Sequence, residues 1–264
     1  MAKNIAPGSP EANLAVLLSK GVRWATVIDL GSADGYFFLN GHRLGLFSDA
    51  VPVNVDANAT YEDSLRAIQE VFGGHFFIGA VTDHDGEAEI TSAVHPYWDS
   101  LRPDGDPYWD QVDKRGGEKI VVPATTVDSL AAKLRLTPPF LIKLDVQGAE
   151  VPALRGARRV LQDTVAVVCE ADIVDFHGID AALCEAGFGL LDVTNINRTP
   201  DGSMGWFYPV YLNHAYDHLR SRVFWDESQT DSVILAQVKR REATLAEARV
   251  ILAQERARRG QAGL

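Results

Sequence analysis

The sequence predicts an α/β fold, a mostly parallel sheet with helices on both of its faces. Two observations carry that expectation. The stretches VIDLGSADGY at 27–36 and LIKLDVQGAE at 141–150 each run apolar, end in Asp and then meet glycine: Asp29, Gly31 and Gly35 in the first, Asp145 and Gly148 in the second. Continuous apolar runs suit strands buried on both faces, and a glycine just after such a strand lets backbone approach a ligand at the carboxyl end of the sheet. The other observation is the alternation of short apolar runs with segments of helical spacing, a rhythm that favours parallel strands joined by right-handed crossovers.

The elements follow in order. EANLAVLLSKG at 11–21 reads as a lead-in helix stopped by Gly21, and Val27 opens the first strand. Phe37 to Phe47 should pack on the sheet, and VPVNVD at 51–56 makes a second strand ending in Asp56. Leu65, Ile68, Val71 and Phe72 give 61–72 a helical stripe that Gly73 and Gly74 terminate, and HFFIGAV at 75–81 is a third strand. GEAEIT at 86–91 and KIVVPATT at 119–126 read as short edge strands around an insert, 92–118, that carries PYWD twice, at Pro96–Asp99 and Pro107–Asp110. Regular alternation then returns with TVDSLAAKL as a helix, FLIKLD as strand four, a helix from Glu150 to Leu161, VAVVCE as strand five, the helix DAALCEAGF at 180–188, GLLDV as strand six and SVILAQV at 232–238 as strand seven. Between the last two lies a second insert, 194–228, with Trp206, Phe207, Tyr208, Tyr211, Tyr216 and Trp225. Its length and aromatic content predict an ordered cap over a ligand. On this reading residues 1–238 form one domain and 239–264 a basic helical tail.

Composition narrows the function classes. A formal net charge of −11 argues against a nucleic-acid binder, which relies on a Lys/Arg excess. No stretch offers the roughly 20 apolar residues of a membrane helix, and the start MAKNIAPGSPEANL holds no apolar signal core, so a soluble cytoplasmic protein is expected. Two cysteines, Cys169 and Cys184, make neither a disulfide framework nor a thiolate metal site. The tail from Lys239 holds seven Lys/Arg and three Glu, +4 against −15 for the rest. Ala246, Val250, Ala253 and Ala257 give it helical spacing, which suits a solvated helix or one that docks on the acidic body or on a second subunit to make a homo-oligomer.

The first glycine turn is spaced D-x-G-x-x-x-G, and Ala33 stands where a dinucleotide fingerprint has its second glycine. A dinucleotide needs backbone around a pyrophosphate. S-adenosylmethionine has no phosphate and presents a sulfonium, an ammonium and a carboxylate, which acidic strand ends and a glycine turn accommodate. Asp56 then stands where a ribose would be held, with a helix cap as its structural alternative, just as a tight turn without ligand is the alternative for the glycines.

IKLDVQGAEVPALRGARRVL at 142–161 resembles the signature of the FkbM-like methyltransferases, and the first motif, GAVTDHDGEAEIT, VPATTVDSL and VAVVCE are similar to weaker landmarks of that family, over roughly residues 25–238. The resemblance implies a class I methyltransferase fold, a seven-stranded sheet with its last strand antiparallel, and methyl transfer from S-adenosylmethionine, usually to a hydroxyl of a sugar, glycan or secondary metabolite. It implies a cofactor site around Asp29, Gly31, Ser32, Gly35, Tyr36, Asp56, Ala80, Val81 and Asp145. Ser32, Ala33, Asp34 and Gln147 depart from the usual Ala, Asn, aliphatic residue and Glu, so no carboxylate role passes to Gln147.

Transfer to an alcohol needs alignment, exclusion of water and a proton acceptor. Asp145 and His177, past strands four and five, are the candidate bases, with His95 and His214 as lesser ones. Lys143 shares a strand face with Asp145 and is either catalytic or ion-paired to Asp145 or Glu150. Asp145, Glu170, Asp172 and His177 could hold Mg²⁺ or Mn²⁺, but their spacing fits no tight ligand motif and a metal is not favoured. The rival readings are a nicotinamide-dependent oxidoreductase and a non-catalytic interaction module.

Overall fold

A computed structural model describes residues 5–92, 118–220 and 230–261. The chain divides into two units, Met1–Leu219 and Arg220–Leu264.

The first unit carries strands β1 (Thr26–Leu30), β2 (Val51–Asp56), β3 (His75–Ile78), β4 (Ala80–Val81), β5 (Gly86–Ser92), β6 (Glu118–Thr125), β7 (Phe140–Leu144), β8 (Thr164–Cys169), β9 (Ala171–Asp172), β10 (Phe188–Thr194) and β11 (Trp206–Asn213). Its helices are α1 (Pro10–Ser19), α2 (Tyr36–Arg43), α3 (Glu62–Phe72), α4 (Val127–Leu134), α5 (Glu150–Arg155) and α6 (Phe176–Glu185). The central sheet runs β10-β11-β8-β7-β1-β2-β3, with β9 paired to β11, and β4-β6-β5 form a separate small sheet. From β3 to β8 the neighbours are parallel, and β11 is antiparallel to both β8 and β10. The chain therefore fills one side of β1 with β2 and β3 and then crosses to the other side with β7 and β8. That crossing makes a switch point at the carboxyl ends of β1 and β7, where open α/β sheets bind ligands.

Local chemistry sets the helix limits. Ser9 caps α1 through the Ala12 N–H with Pro10 in the first turn, and Thr126 caps α4 through the Ser129 N–H. Alternate residues of each strand feed two cores. On one face Leu14, Leu17, Phe38, Leu65 and Ile68 of α1 to α3 pack with Val27 and Val165; on the other Val127, Leu130, Leu154, Ile179 and Leu183 of α4 to α6 pack with Ile28 and Ile142.

Three expectations are corrected. The run 232–238 is not a strand: it lies inside the second unit's helix α7 (Thr230–Gln261), which no glycine or proline interrupts before Gly260. The antiparallel last strand is β11, so Trp206, Phe207, Tyr208 and Tyr211 belong to the sheet rather than to a cap, and Phe207 and Tyr211 are fully buried. The helix expected through Leu161 ends at Arg155, followed by the 3₁₀ turn Val160–Asp163. Both PYWD motifs, His95 and Trp225 lie outside the described residues. No helix among the described residues is long and apolar enough to cross a membrane.

Candidate functional site

A cavity of about 740 Å³ opens at the switch point. Gly31, Ser32 and Tyr36 after β1, Asp56 at the end of β2, Ala80 and Val81 of β4, Lys143 and Asp145 of the β7 end, and Glu170, Asp172 and Tyr208 of the β8 to β11 wall all line it. Most of the residues expected at a cofactor site are thus brought together.

Two backbones meet at its floor. A Cβ on Gly31, whose φ is +73°, would lie 1.6 Å from the backbone oxygen of Asp145. Only glycine allows that approach, because the obstacle is main chain that cannot rotate aside. Gly35, at φ +80°, is instead packed against Ile68 and does not line the cavity: its absent Cβ would fall 2.2 Å from that side chain. Beside the floor, the Asp56 carboxylate accepts the Ala33 N–H at 2.7 Å and the Asn58 N–H at 2.9 Å, which fixes it at the cavity edge.

Asp29, expected to touch the cofactor, is completely buried and does not line the cavity. The β1–β7 register sets it directly beside Lys143, whose Nζ stands 3.4 Å from Asp29 Oδ1, 3.2 Å from Asp145 Oδ2 and 2.5 Å from the carbonyl oxygen of Gly31. Burial pushes the Asp29 carboxyl up to about 6 against the pull of Lys143. Burial also works against the Lys143 charge, but Asp145 and Asp29 outweigh it and hold the ammonium above its usual range. Lys143 is therefore a charged tie between the two motifs, the ion-pair alternative to a catalytic role, and its partners are Asp29 and Asp145.

Glu150, the first residue of α5, turns back on the loop before it and accepts the N–H groups of Val146 at 3.1 Å and Gly148 at 2.8 Å. Within that loop Gln147 adopts φ +51°, a left-handed backbone that aims its amide between two carboxylates. Its Nε2 donates to Asp145 Oδ1 at 3.0 Å and to Glu170 Oε2 at 2.7 Å, while Tyr208 donates its hydroxyl to Glu170 Oε1 at 2.7 Å. Tyr208 reaches Glu170 because β11 pairs with β8 at 210–212 and with β9 at 206–207, leaving Tyr208 and Pro209 opposite the gap between those strands. Burial, then the charge of Asp145, push Glu170 up to about 8.

Glu170 and Tyr208 both line the cavity wall, whereas the sequence marks Glu170 only as a possible metal ligand and Tyr208 only as part of a cap. Among the described residues no group of three or more His, Cys, Asp or Glu is placed to hold a metal ion. His177 sits exposed on α6, not on a loop, and does not line the cavity. His214 lies in the 3₁₀ turn His214–Leu219, 2.9 Å from Asp217 and away from the cavity.

The methyltransferase FkbM domain matches residues 31–190, more than half of the chain. The chain is similar in structure to the methyltransferase FkbM from Methylobacillus flagellatus KT, with a TM-score of 0.42 at 15% identity over 74% of this chain and 45% of that one. It is similar to the precorrin-6y C5,15-methyltransferase from Geobacter metallireducens GS-15, with a TM-score of 0.39 at 10% identity over 81% and 94% of the two chains. A third likeness is to TrmN from Thermus thermophilus, with a TM-score of 0.40 at 13% identity over 75% and 47%. No curated protein matches.

Proposed function

The chain belongs to the FkbM methyltransferase domain family, and from that membership we propose that it moves a methyl group from S-adenosylmethionine to a hydroxyl oxygen of a sugar, glycan or secondary metabolite. The observation that supports this reading best is the cavity at the switch point, floored by the Gly31–Asp145 approach and flanked by Asp56.

The residues present suit the cofactor. Asp56 presents a carboxylate, an acceptor suited to the hydroxyls of a ribose diol, at the cavity edge. Ala80 and Val81 give the cavity an apolar lining for an adenine, and Gly31 with Ser32 would lie along the amino-acid portion. Bound there, S-adenosylmethionine would supply an electrophilic methyl carbon.

The chain's own contribution is alignment and proton removal. As the new C–O bond forms and the C–S bond breaks, the acceptor hydroxyl must lose its proton, and we place Asp145 against that hydroxyl. Its pairing with Lys143 fixes the carboxylate's direction. Glu150 sets the height of the loop that carries it. Calorimetry with S-adenosylmethionine tests the reading at its base, and absence of both heat and thermal stabilisation at millimolar cofactor would sink it. Mass spectrometry of hydroxylated candidates after incubation, looking for the gain of one methyl group, tests the acceptor class.

A further inference from the structure

Resting on the S-adenosylmethionine reading above, we propose that Glu170 distinguishes the charged cofactor from its neutral product, holding the sulfonium form and releasing the thioether. The residue stands at the cavity wall in partial contact with the open space, and both of its oxygens are engaged by neutral donors, Tyr208 on one and Gln147 on the other. Gln147 ties it to Asp145, so two carboxylates are held near each other across a single amide nitrogen. Two carboxylate charges in a partly buried wall oppose one another, so the pair favours a cation beside it.

The other groups facing Glu170 relieve it only in part: the hydrogen bonds from Tyr208 and Gln147 favour its charge, but burial and Asp145 outweigh them. Lys143 on β7 is the one cationic side chain among the cavity's described lining residues, and it is already shared by Asp29 and Asp145. Tyr208 on β11 is itself pushed up by burial and by these carboxylates, so it stays a neutral donor. Cys169, the neighbour on β8, is buried and held well above its usual range, so it too is neutral. Glu170 consequently keeps a proton near neutral pH in the free protein, as its rise to about 8 indicates. A sulfonium arriving at the cavity supplies the missing positive charge and the proton leaves to solvent. The thioether product carries no such charge, so after transfer the proton returns and the hold on the product weakens. Only the proton moves at Glu170; the methyl group and the electron pair left on sulfur belong to the transfer step.

The test is calorimetry with S-adenosylmethionine and S-adenosylhomocysteine on the intact chain, in two buffers of different ionisation enthalpy near about pH 7. Wild type should release close to a full proton with S-adenosylmethionine and none with S-adenosylhomocysteine, and the preference for the charged ligand should grow as pH rises toward about 8. Glu170→Gln should lower S-adenosylmethionine affinity about tenfold, leave S-adenosylhomocysteine within about twofold and abolish the proton release. Equal losses for the two ligands, or an unchanged ratio, overturn the inference. Failure of both ligands to bind wild type overturns the parent reading instead. Should Glu170→Gln not fold, Tyr208→Phe serves: losing a donor to the charged carboxylate must raise the pH at which the preference sets in, and an unmoved midpoint overturns the inference equally.

Discussion

Gly31 and Asp145 touch through their backbones: the space a Cβ would need on Gly31 is occupied by the Asp145 carbonyl, 1.6 Å away. The two motifs that stand 114 positions apart in sequence thus form one surface, the cavity floor. Neither strand end can shift without moving the other.

Gly31→Ala should therefore damage both stability and cofactor binding. The added methyl must push main chain aside and also adopt φ +73°, for a combined cost of about 2–4 kcal/mol. Denaturant unfolding checks the first effect and calorimetry with S-adenosylmethionine the second. An alanine variant that bound the cofactor like wild type would show that the floor is not where the cofactor lies.

Lys143→Met should destabilise the fold more than most single changes. It leaves the fully buried Asp29 with no counter-charge, and breaking a buried pair by removing one partner typically costs about 3–5 kcal/mol. The double variant Lys143→Met with Asp29→Asn should recover part of that loss. Urea midpoints of the two proteins measure the difference, and an equal midpoint would mean Lys143 stabilises through Asp145 alone.

Much of this arrangement was legible in the sequence because β1, β2, β7 and β8 are mostly apolar runs with an Asp or Glu at or beside their carboxyl ends, a pattern that suits a buried parallel sheet. The last strand was not. Pro209 and the mixed polar and aromatic character of WFYPVYLN argue against a strand between two neighbours. The proline is tolerated because it falls opposite the gap between β8 and β9. SVILAQV misled in the opposite sense: its β-branched residues favour a strand, but the uninterrupted helix formers that follow carry it into α7. The Glu170–Tyr208 contact was hidden for the same reason, since it needs β11 in its true place. Asp29 and Gly35, expected at the cofactor, miss the cavity because Asp29 is turned to Lys143 and Gly35 backs on Ile68, partners that the first motif does not contain.

His177→Ala should leave S-adenosylmethionine affinity unchanged within about twofold, and turnover as well, because the ring is exposed on α6 and does not line the cavity. Side-by-side kinetics of this variant and Asp145→Asn would decide the assignment. A large loss of turnover confined to His177→Ala would return the proton-acceptor role to the histidine.

The stability of the chain should fall as pH rises from about 4.5 to 8, the reverse of ordinary acid unfolding. Burial raises Asp29 to about 6, Glu150 to about 7 and Glu170 to about 8, whereas the unfolded chain titrates these groups near 3.8 and 4.5. Between those limits the folded state binds more protons than the unfolded one, so each step upward in pH favours unfolding. Lys143, held above its usual range, contributes evenly across this interval and does not alter the slope. Glu150 gives the sharpest test. Glu150→Gln removes the titration but also one acceptor, because an amide nitrogen cannot accept the N–H that the second Glu150 oxygen holds, so the variant should be less stable than wild type at the acid end and gain on it by up to about 3 kcal/mol as pH rises to about 8. Urea unfolding of both proteins across the interval measures it. Parallel curves would mean that the N–H groups of Val146 and Gly148 stabilise the Glu150 charge enough to cancel the effect of its burial.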